Sequence, residues 1–366
     1  MDRLPRWADV ALVPLISLVL AAIISALVLL AIGQSPVEAF NVMVDGALGS
    51  ADGWGYTLYY TTSFIFTGLA VTIAFHAGMF NIGGEGQAQI GGLGVALVCL
   101  ALPWPHWTLA LLAATLGAAA FGAVWAAIPA YLQAKRGSHI VITTIMFNYI
   151  AAALIVYLLV DVLRPAGQMD PATATFPPGA KLPTLNQIPG FNLIFVKPVP
   201  ANVTLFIALA MAVVVWAILW RTRLGYQIRA FGKSEAAAKY AGINPTKIIM
   251  IAMILSGALA GMMSVNNVMG EAERLLMNSA EGAGFIGIAV ALMGRNHPLG
   301  VVLAALLFGF LYQGGAELGL WTSIPIEMRI VVQGLVILFT GALDMMVRML
   351  LLRAFGLFRS HKPGVA

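Results

Sequence analysis

Apolar residues in this chain come in long unbroken runs rather than at a strand or amphipathic-helix period, and short polar stretches separate the runs. Runs at 10–32, 57–76, 88–102, 107–133, 140–163, 202–220, 247–266, 283–294, 298–316 and 327–351 predict ten spans. The measure is the about 20 apolar residues that cross a hydrocarbon core of about 30 Å. The first run is longer than the ~7–15-residue core of a secretory signal and is read as a retained span. One stretch breaks the pattern. FNIGGEGQ, residues 80–87, lies between two apolar runs yet carries Asn81, Glu85 and Gln87 among glycines 83, 84 and 86. A carboxylate at a bilayer centre costs about 2.5–3.5 kcal/mol on insertion scales. The stretch is therefore either an interfacial turn or a broken helix inside a protein core, with the glycines letting the backbone leave helical geometry.

Composition turns the pattern into a class. With 366 residues, 60% hydrophobic and 10% charged, the chain has too few polar residues to coat a soluble globule of its length. The expectation is an all-α, polytopic membrane helix bundle of about ten spans, forming one transmembrane domain over 1–366. Cys99 is the single cysteine, which excludes an intramolecular disulfide and a CxxC metal site. The net charge of +5 is not a nucleic-acid signal, because the basic residues are distributed by topology. With a cytoplasmic N-terminus, 15 of the 20 Lys and Arg fall inside: Arg3, Arg6, Lys135, Arg136, Arg221, Arg223, Arg229, Lys233, Lys239, Lys247, Arg295, Arg348, Arg353, Arg359 and Lys362. Arg164, Lys181, Lys197 and Arg274 fall outside, and Arg329 sits at a span edge. This bias predicts both termini inside, and the loop 33–56, acidic and without Lys or Arg, fits.

Two polar segments are long enough to have a task. The outer one, 164–200, holds eight prolines and predicts a stiff irregular cap, either a linker or a docking surface for an external partner. The inner one, 221–246, holds a helix-forming centre with Ser234 as N-cap, Gly242 as stop and Pro245 beyond. It predicts a short amphipathic helix along the membrane, resting on anionic lipid or engaging a partner.

An internal repeat is visible. Residues 85–91, EGQAQIG, and 281–287, EGAGFIG, agree at Glu, Gly, Ile and Gly, and each opens a short Gly-punctuated apolar segment. In the ten-span scheme the copies enter from opposite sides, an inverted repeat of the kind that marks a transport pathway through broken helices. Other apparent motifs fail on context. Gly282, Gly284 and Gly287 satisfy GxGxxG but open a membrane segment, and Gly232, Lys233 and Ser234 lack the first glycine of a P-loop because Gln227 stands there. Histidines 76, 106, 139, 297 and 361 have no ligand spacing, so no metal is expected. Gly257 and Gly261 read as a helix-packing GxxxG. Asn148 and Tyr149, after Thr143 and Thr144, need partners in the protein or line a water-filled path. Asn266, Asn267, Glu271 and Glu273 are expected to be solvated at a span end.

Four blocks, FNIGGEGQ (80–87), KRGSHIVITTIMFNYI (135–150), RTRLGYQIRAFGKSEAAAKYAGI (221–243) and GAGFIGIAVALMGRNHPLG (282–300), resemble the permease subunits of binding-protein-dependent ABC importers. Within them the chain is similar to the larger permease of the simple-sugar and nucleoside branch. The resemblance covers most of the chain from about residue 57, and it departs at His139–Ile142, where the family pattern carries a carboxylate. It implies that Arg229, Gly232, Lys233, Glu235, Ala236, Ala237, Gly242 and Ile243 form the cytoplasmic coupling helix, docked on an ATPase. It places Phe80, Asn81, Glu85, Gln87, Asn148, Glu281 and Phe285 near the translocation pathway, with Phe80 and Phe285 able to stack on a base. The implied partners are an ABC ATP-binding subunit that binds ATP and Mg, a second permease subunit in a heterodimer, an extracytoplasmic substrate-binding protein and membrane lipid. No cofactor, metal or catalytic residue is expected in this chain, and the implied location is the bacterial cytoplasmic (inner) membrane. From the residues alone, an ion-coupled secondary transporter or a facilitator remains open. The paired EGxxxIG copies read as a hinge or gate.

Overall fold

The computed structural model describes residues 12–322, Ile324, 328–339, Met346, Met349 and Leu352. The basic residues at 3, 6, 348, 353, 359 and 362, and much of the predicted run 327–351, lie outside the described residues. Within them the chain is helical, and the strand-like pairings are two isolated bridges in polar segments, Ala172 with Leu276 and Thr184 with Asn202.

In chain order the helices are α1 (Val13–Ala31), α2 (Pro36–Leu48), α3 (Ala51–His76), α4 (Gly84–Ala101), α5 (Trp107–Arg136), α6 (Ile140–Tyr157), α7 (Thr204–Arg221), α8 (Arg223–Lys233), α9 (Glu235–Tyr240), α10 (Pro245–Ser264), α11 (Ala283–Met293), α12 (Pro298–Trp321) and α13 (Met328–Ile337). Helices α6 and α10 each continue into a π-helical stretch, Leu158–Val162 and Val265–Glu271. Among the described residues, seven helices are long and apolar enough to cross a membrane: α1, α3, α5, α6, α7, α10 and α12.

Four sequence expectations change. The predicted loop 33–56 contains α2, begun by Pro36, and α3 starts at Ala51, where the Ser50 hydroxyl accepts the Gly53 N–H. The predicted span 88–102 begins earlier, at Gly84, and its first turns carry Glu85, Gln87 and Gln89. The predicted span 283–294 is an 11-residue helix. At 1.5 Å per residue it is about 16 Å long, half of a bilayer core. The segment 221–246 holds two helices rather than one, because Ser234 leaves helical geometry between α8 and α9.

The chain divides into two compact units, 1–47 with 311–366 and 48–310. In the first, α1 packs with α13, and α2 meets the end of α12 closely: a Cβ on Gly46 would collide with the Glu317 side chain, and one on Gly314 with the Met43 backbone. The second is built around α3, whose residues are buried almost without interruption from Tyr59 to Ala74, and α10, which packs on α3, α4 and α5.

The GxxxG of α10 is a helix-packing seam, as expected. A Cβ on Gly257 would strike Ala126 and the Gly122 carbonyl of α5, one on Gly261 would strike the Ala118 carbonyl, and one on Gly91 of α4 would strike Gly261. Three backbones thus lie in near contact, which only small residues permit. Lipid-type exteriors follow from the same geometry: α5 and α6 keep Leu109, Leu112, Leu116, Val124, Ile142 and Ile150 exposed on their outer faces.

Within the second unit most of the basic residues gather at one end. The last turns of α5 and α7 carry Lys135, Arg136 and Arg221, α8 and α9 lie there, and Gly232 of α8 abuts Gly78 beyond the end of α3. At the opposite end the segment 164–200 makes only three-residue 3-10 turns, as its prolines require. It is nevertheless fastened. The Thr173 hydroxyl accepts the Leu275 N–H, the Glu273 carbonyl accepts the Phe176 N–H, and Lys181 pairs with Glu273.

Candidate functional site

After His76 ends α3, the chain does not proceed directly to another helix but runs back through the protein as non-helical backbone over 79–82. Its depth can be read from its partners. Asn81 Nδ2 donates to Ser256 Oγ at 2.8 Å, and Ser256 Oγ donates to the Ala70 carbonyl of α3 at 2.6 Å. Ala70 is six residues before the end of α3, so Asn81 lies about 9 Å back from that end. Irregular backbone at such depth survives only where protein satisfies it. Here Asn81 Oδ1 accepts the Gly83 N–H, its amide also bonds Gln87, and Asn148 of α6 bridges two levels, donating to the Ile82 carbonyl and accepting the Gly86 N–H, each at 2.9 Å. Asn81, Gln87 and Asn148 are thus fully engaged in bracing the start of α4.

Glu85 goes further. It is only 6% exposed, and its carboxylate forks across the start of α11: Oε1 accepts the Gly282 N–H and Oε2 the Gly284 N–H, each at 2.9 Å. The carboxylate sits in the first turn of α4 and at the N-terminus of α11, so two helix N-termini supply the positive potential that a Lys or Arg would otherwise provide. The approach is backbone to backbone. A Cβ on Gly284 would overlap Glu85, and one on Gly84 would touch the Gly284 carbonyl at 3.4 Å. Gly282 caps α11 with φ +80, a left-handed conformation that suits glycine. Helix α11 then packs against α3, Gly287 on Thr67 and Val290 on Gly68, running parallel to it. The two repeat copies therefore meet at their starts, and the first supplies the cap of the second.

This resolves the alternative at FNIGGEGQ in favour of the buried break. The remaining predicted pathway residues are dispersed. Glu281 is exposed with φ +50, Phe285 is 48% exposed on α11, and Phe80 packs edge-on against Phe75.

A second polar knot escaped the sequence reading. Asn266 and Asn267, expected to be solvated, are buried in the π-helical stretch that extends α10. Asn266 Nδ2 donates to the Tyr59 carbonyl and to Ser63 Oγ, while its Oδ1 accepts from Asn202 Nδ2 and Thr204 Oγ1. Asn267 Oδ1 accepts from Ser63 Oγ, and its Nδ2 donates to the Ser279 carbonyl just before α11. The paired asparagines inside an apolar run were the available signal; the buried Ser63 that completes the knot lies 203 residues away.

The residues predicted to couple to a partner lie on α8, on α9 and, for Gly242 and Ile243, in the turn after α9, at the basic end. Thr222 caps α8 through the Gly225 N–H and Ser234 caps α9 through the Ala237 N–H. The predicted stop holds as well: Gly242 has φ +80, the Ala238 carbonyl accepts the Ile243 N–H, and Pro245 opens α10. Ala238 and Ile243 are buried, whereas Glu235, Ala236, Ala237, Lys239 and Tyr240 are exposed, Tyr240 to 96%. Arg229 stacks on Trp220, its guanidinium 5.9 Å from the ring centre.

Half-helices joined head to head in the core of a helical bundle are a recurring feature of membrane transporters. Residues 54–341 match the family described as the branched-chain amino acid transport system / permease component, and the chain belongs to that family. It is 36% identical over 337 residues to the guanosine ABC transporter permease protein NupP of Bacillus subtilis, covering 90% of this chain and 93% of the relative. It is 35% identical to the nucleoside ABC transporter permease protein NupB of Lactococcus lactis, covering 90% of each. The glucose ABC transporter permease protein TsgB13 of Haloferax volcanii is 33% identical over 92% of this chain and 88% of its own length. The chain is a multi-pass ABC importer permease for a small polar solute.

Proposed function

We propose that the solute is a nucleoside or a simple sugar and that residues 221–246 transmit ATP hydrolysis in a separate subunit to alternating access in this one. The family description mentions branched-chain amino acids, whereas the similar permeases above are described for guanosine, nucleosides and glucose. The polar side chains buried in the second unit are neutral apart from Glu85, including Asn81, Gln87, Asn148, Asn202, Asn266 and Asn267. Glu85 is already engaged by two backbone N–H groups. A zwitterion's two charges would need buried countercharges, and Glu85, the one buried charge of the unit, is taken, so a neutral solute fits better.

The observation that carries the coupling assignment is α9. A six-residue helix cannot hold itself together, yet it is capped at both ends and presents small and charged residues outward at the basic end. A surface of alanines at 236 and 237 lets another subunit approach closely. The further partners are the ATP-binding subunit, which holds ATP and Mg²⁺, and a second permease, since relatives include the paired guanosine proteins NupP and NupQ. An extracytoplasmic binding protein would dock on 164–200, and lipid surrounds the bundle. Under this reading both termini face the cytoplasm and the membrane is the bacterial cytoplasmic one. Nucleic acid has no role.

Co-expression with the neighbouring ATPase, second permease and binding protein, followed by reconstitution, tests this. ATP-dependent uptake of labelled guanosine or glucose, outcompeting leucine, is expected, and Gly242→Asp should abolish uptake while the protein still inserts. Uptake driven by an ion gradient without ATP would favour a secondary transporter instead. Flux that persists without any partner would point to a facilitator.

A further inference from the structure

Helix α11 is held at both ends by one short piece of chain. At its start Glu85 accepts the Gly282 and Gly284 N–H groups. Beyond its end the Asn296 carbonyl accepts from His76 Nε2 at 2.9 Å, which places the ring proton on Nε2. His76 and Glu85 bound the connection between α3 and α4, and because 79–82 runs back alongside α3 that connection spans the about 16 Å of α11.

The same connection rests on the predicted coupling segment. A Cβ on Gly232 would land on the His76 carbonyl and the Gly78 N, and one on Gly78, whose φ is +69, would meet the Gly232 Cα at 3.3 Å. The side chains reinforce this seat. Trp220 meets His76 edge-on at 5.1 Å and His297 at 5.2 Å, and Arg229 covers Trp220. Around the joint the Nε of Arg229 and the Oδ1 of Asn296 are buried without a hydrogen-bond partner, so this arrangement does not use all of its bonding capacity.

Helix α10 also follows the coupling segment in the chain, but it is seamed to α5 and α4 through Gly257, Gly261, Gly122 and Gly91. Helix α11 has no such seam with α5; its main neighbours are α3 and α4, the two helices that the 76–85 connection joins.

We infer that the connection from His76 to Glu85 is a lever, and that displacement of residues 229–243 reaches the translocation path by moving α11 as one body, with His76, Gly78 and Gly232 as positioning residues. This rests on the coupling role proposed for 221–246 and adds the route by which it acts. A lever of this kind transmits motion without touching solute, so its loss separates ATP hydrolysis from transport.

The test uses the reconstituted complex carrying His76→Leu, His76→Gln or Gly232→Ala, with ATPase co-purification, ATP hydrolysis and uptake measured on each. For His76→Leu the ATPase is expected to co-purify and hydrolyse ATP at near wild-type rate while uptake falls about tenfold, within the usual span of coupling energies. Glutamine can donate to the same carbonyl, so His76→Gln should recover most of the uptake. Gly232→Ala, whose added methyl meets the His76 carbonyl, should also lower uptake about tenfold. Wild-type uptake in His76→Leu, or a parallel fall of hydrolysis and uptake that glutamine does not rescue, would overturn the lever. The coupling assignment fails separately, if Gly242→Asp leaves ATPase binding and uptake intact. Should Gly232→Ala not fold, the two His76 variants still decide.

Discussion

The carboxylate of Glu85 and the backbone N–H of Gly284, 199 residues apart in sequence, meet at 2.9 Å where the first turns of two half-helices face each other. A carboxylate in the core of a membrane protein is held here by two backbone donors and two helix dipoles. Glutamine at this site keeps one acceptor for one N–H but turns an amide N–H₂ toward the other. Alanine leaves both donors unpaired. We expect thermal stability in detergent to fall in the order wild type, Glu85→Gln, Glu85→Ala, with the first step costing about 1–3 kcal/mol. An alanine variant that melts with wild type would remove the clasp from the account.

Asn266 is the hub of the second knot, and only glutamine, on a longer stem, carries the same two donors and one acceptor. Asn266→Leu removes at once one bond each from Asn202, Thr204, Ser63 and the Tyr59 carbonyl. A loss of about 2–5 kcal/mol is expected from several buried bonds lost together, and it should appear as a lower melting temperature and reduced yield of folded protein. Asn266→Asp retains the acceptor but loses both donors, and should fall between.

The seam between α5 and α10 gives a local contrast. Gly257→Ala places a methyl against Ala126 and the Gly122 carbonyl and should cost roughly 1–3 kcal/mol by overpacking. Leu112→Ala, on the exposed face of α5, removes more atoms yet should leave melting within about 0.5 kcal/mol of wild type. Equal effects from the two would mean that the seam is not tight.

Ser234 caps a helix of only six residues. Ser234→Ala should weaken α9 by about 0.5–2 kcal/mol. Hydrogen exchange at the amides of 235–240 should accelerate, while α3 and α10 keep their protection. Binding of the ATPase should slow exchange over the same residues, and an unchanged pattern on complex formation would argue against docking at α9.

How far the sequence carried depends on the range of the interaction. Helices such as α5 and α7 were legible because unbroken apolar runs leave no other way to satisfy the backbone in lipid. The GxxxG seam, Ser234 and Gly242 were legible because packing and capping are local. The ends of α3 and α4 were not: α3 starts with Asp52 and Trp54, and α4 with Glu85 and Gln87, whose polarity hides helix from a hydropathy pattern. The role of Glu85 was half visible. Its repeat partner near 281 could be read, but the acceptor role came from geometry, since the donors are backbone groups of Gly282 and Gly284 and carry no side-chain signature. Asn266 was misread because a position near the end of an apolar run suggests water, whereas the π-helical turn keeps it inside.

The buried start of α4 also bears on how the protein is made. Helix α4 falls outside the group apolar enough to enter lipid on hydropathy alone, and the residue that caps its carboxylate, Gly282, is 197 positions downstream. At ordinary elongation rates that interval is about 10–40 s. Until Gly282 leaves the ribosome, Glu85 has neither of its native backbone donors, and α4 must be sheltered by water, by the insertion machinery or by α5 and α6. Biogenesis of this permease is therefore a delayed closure, in which the centre of the bundle is completed only when α11 arrives.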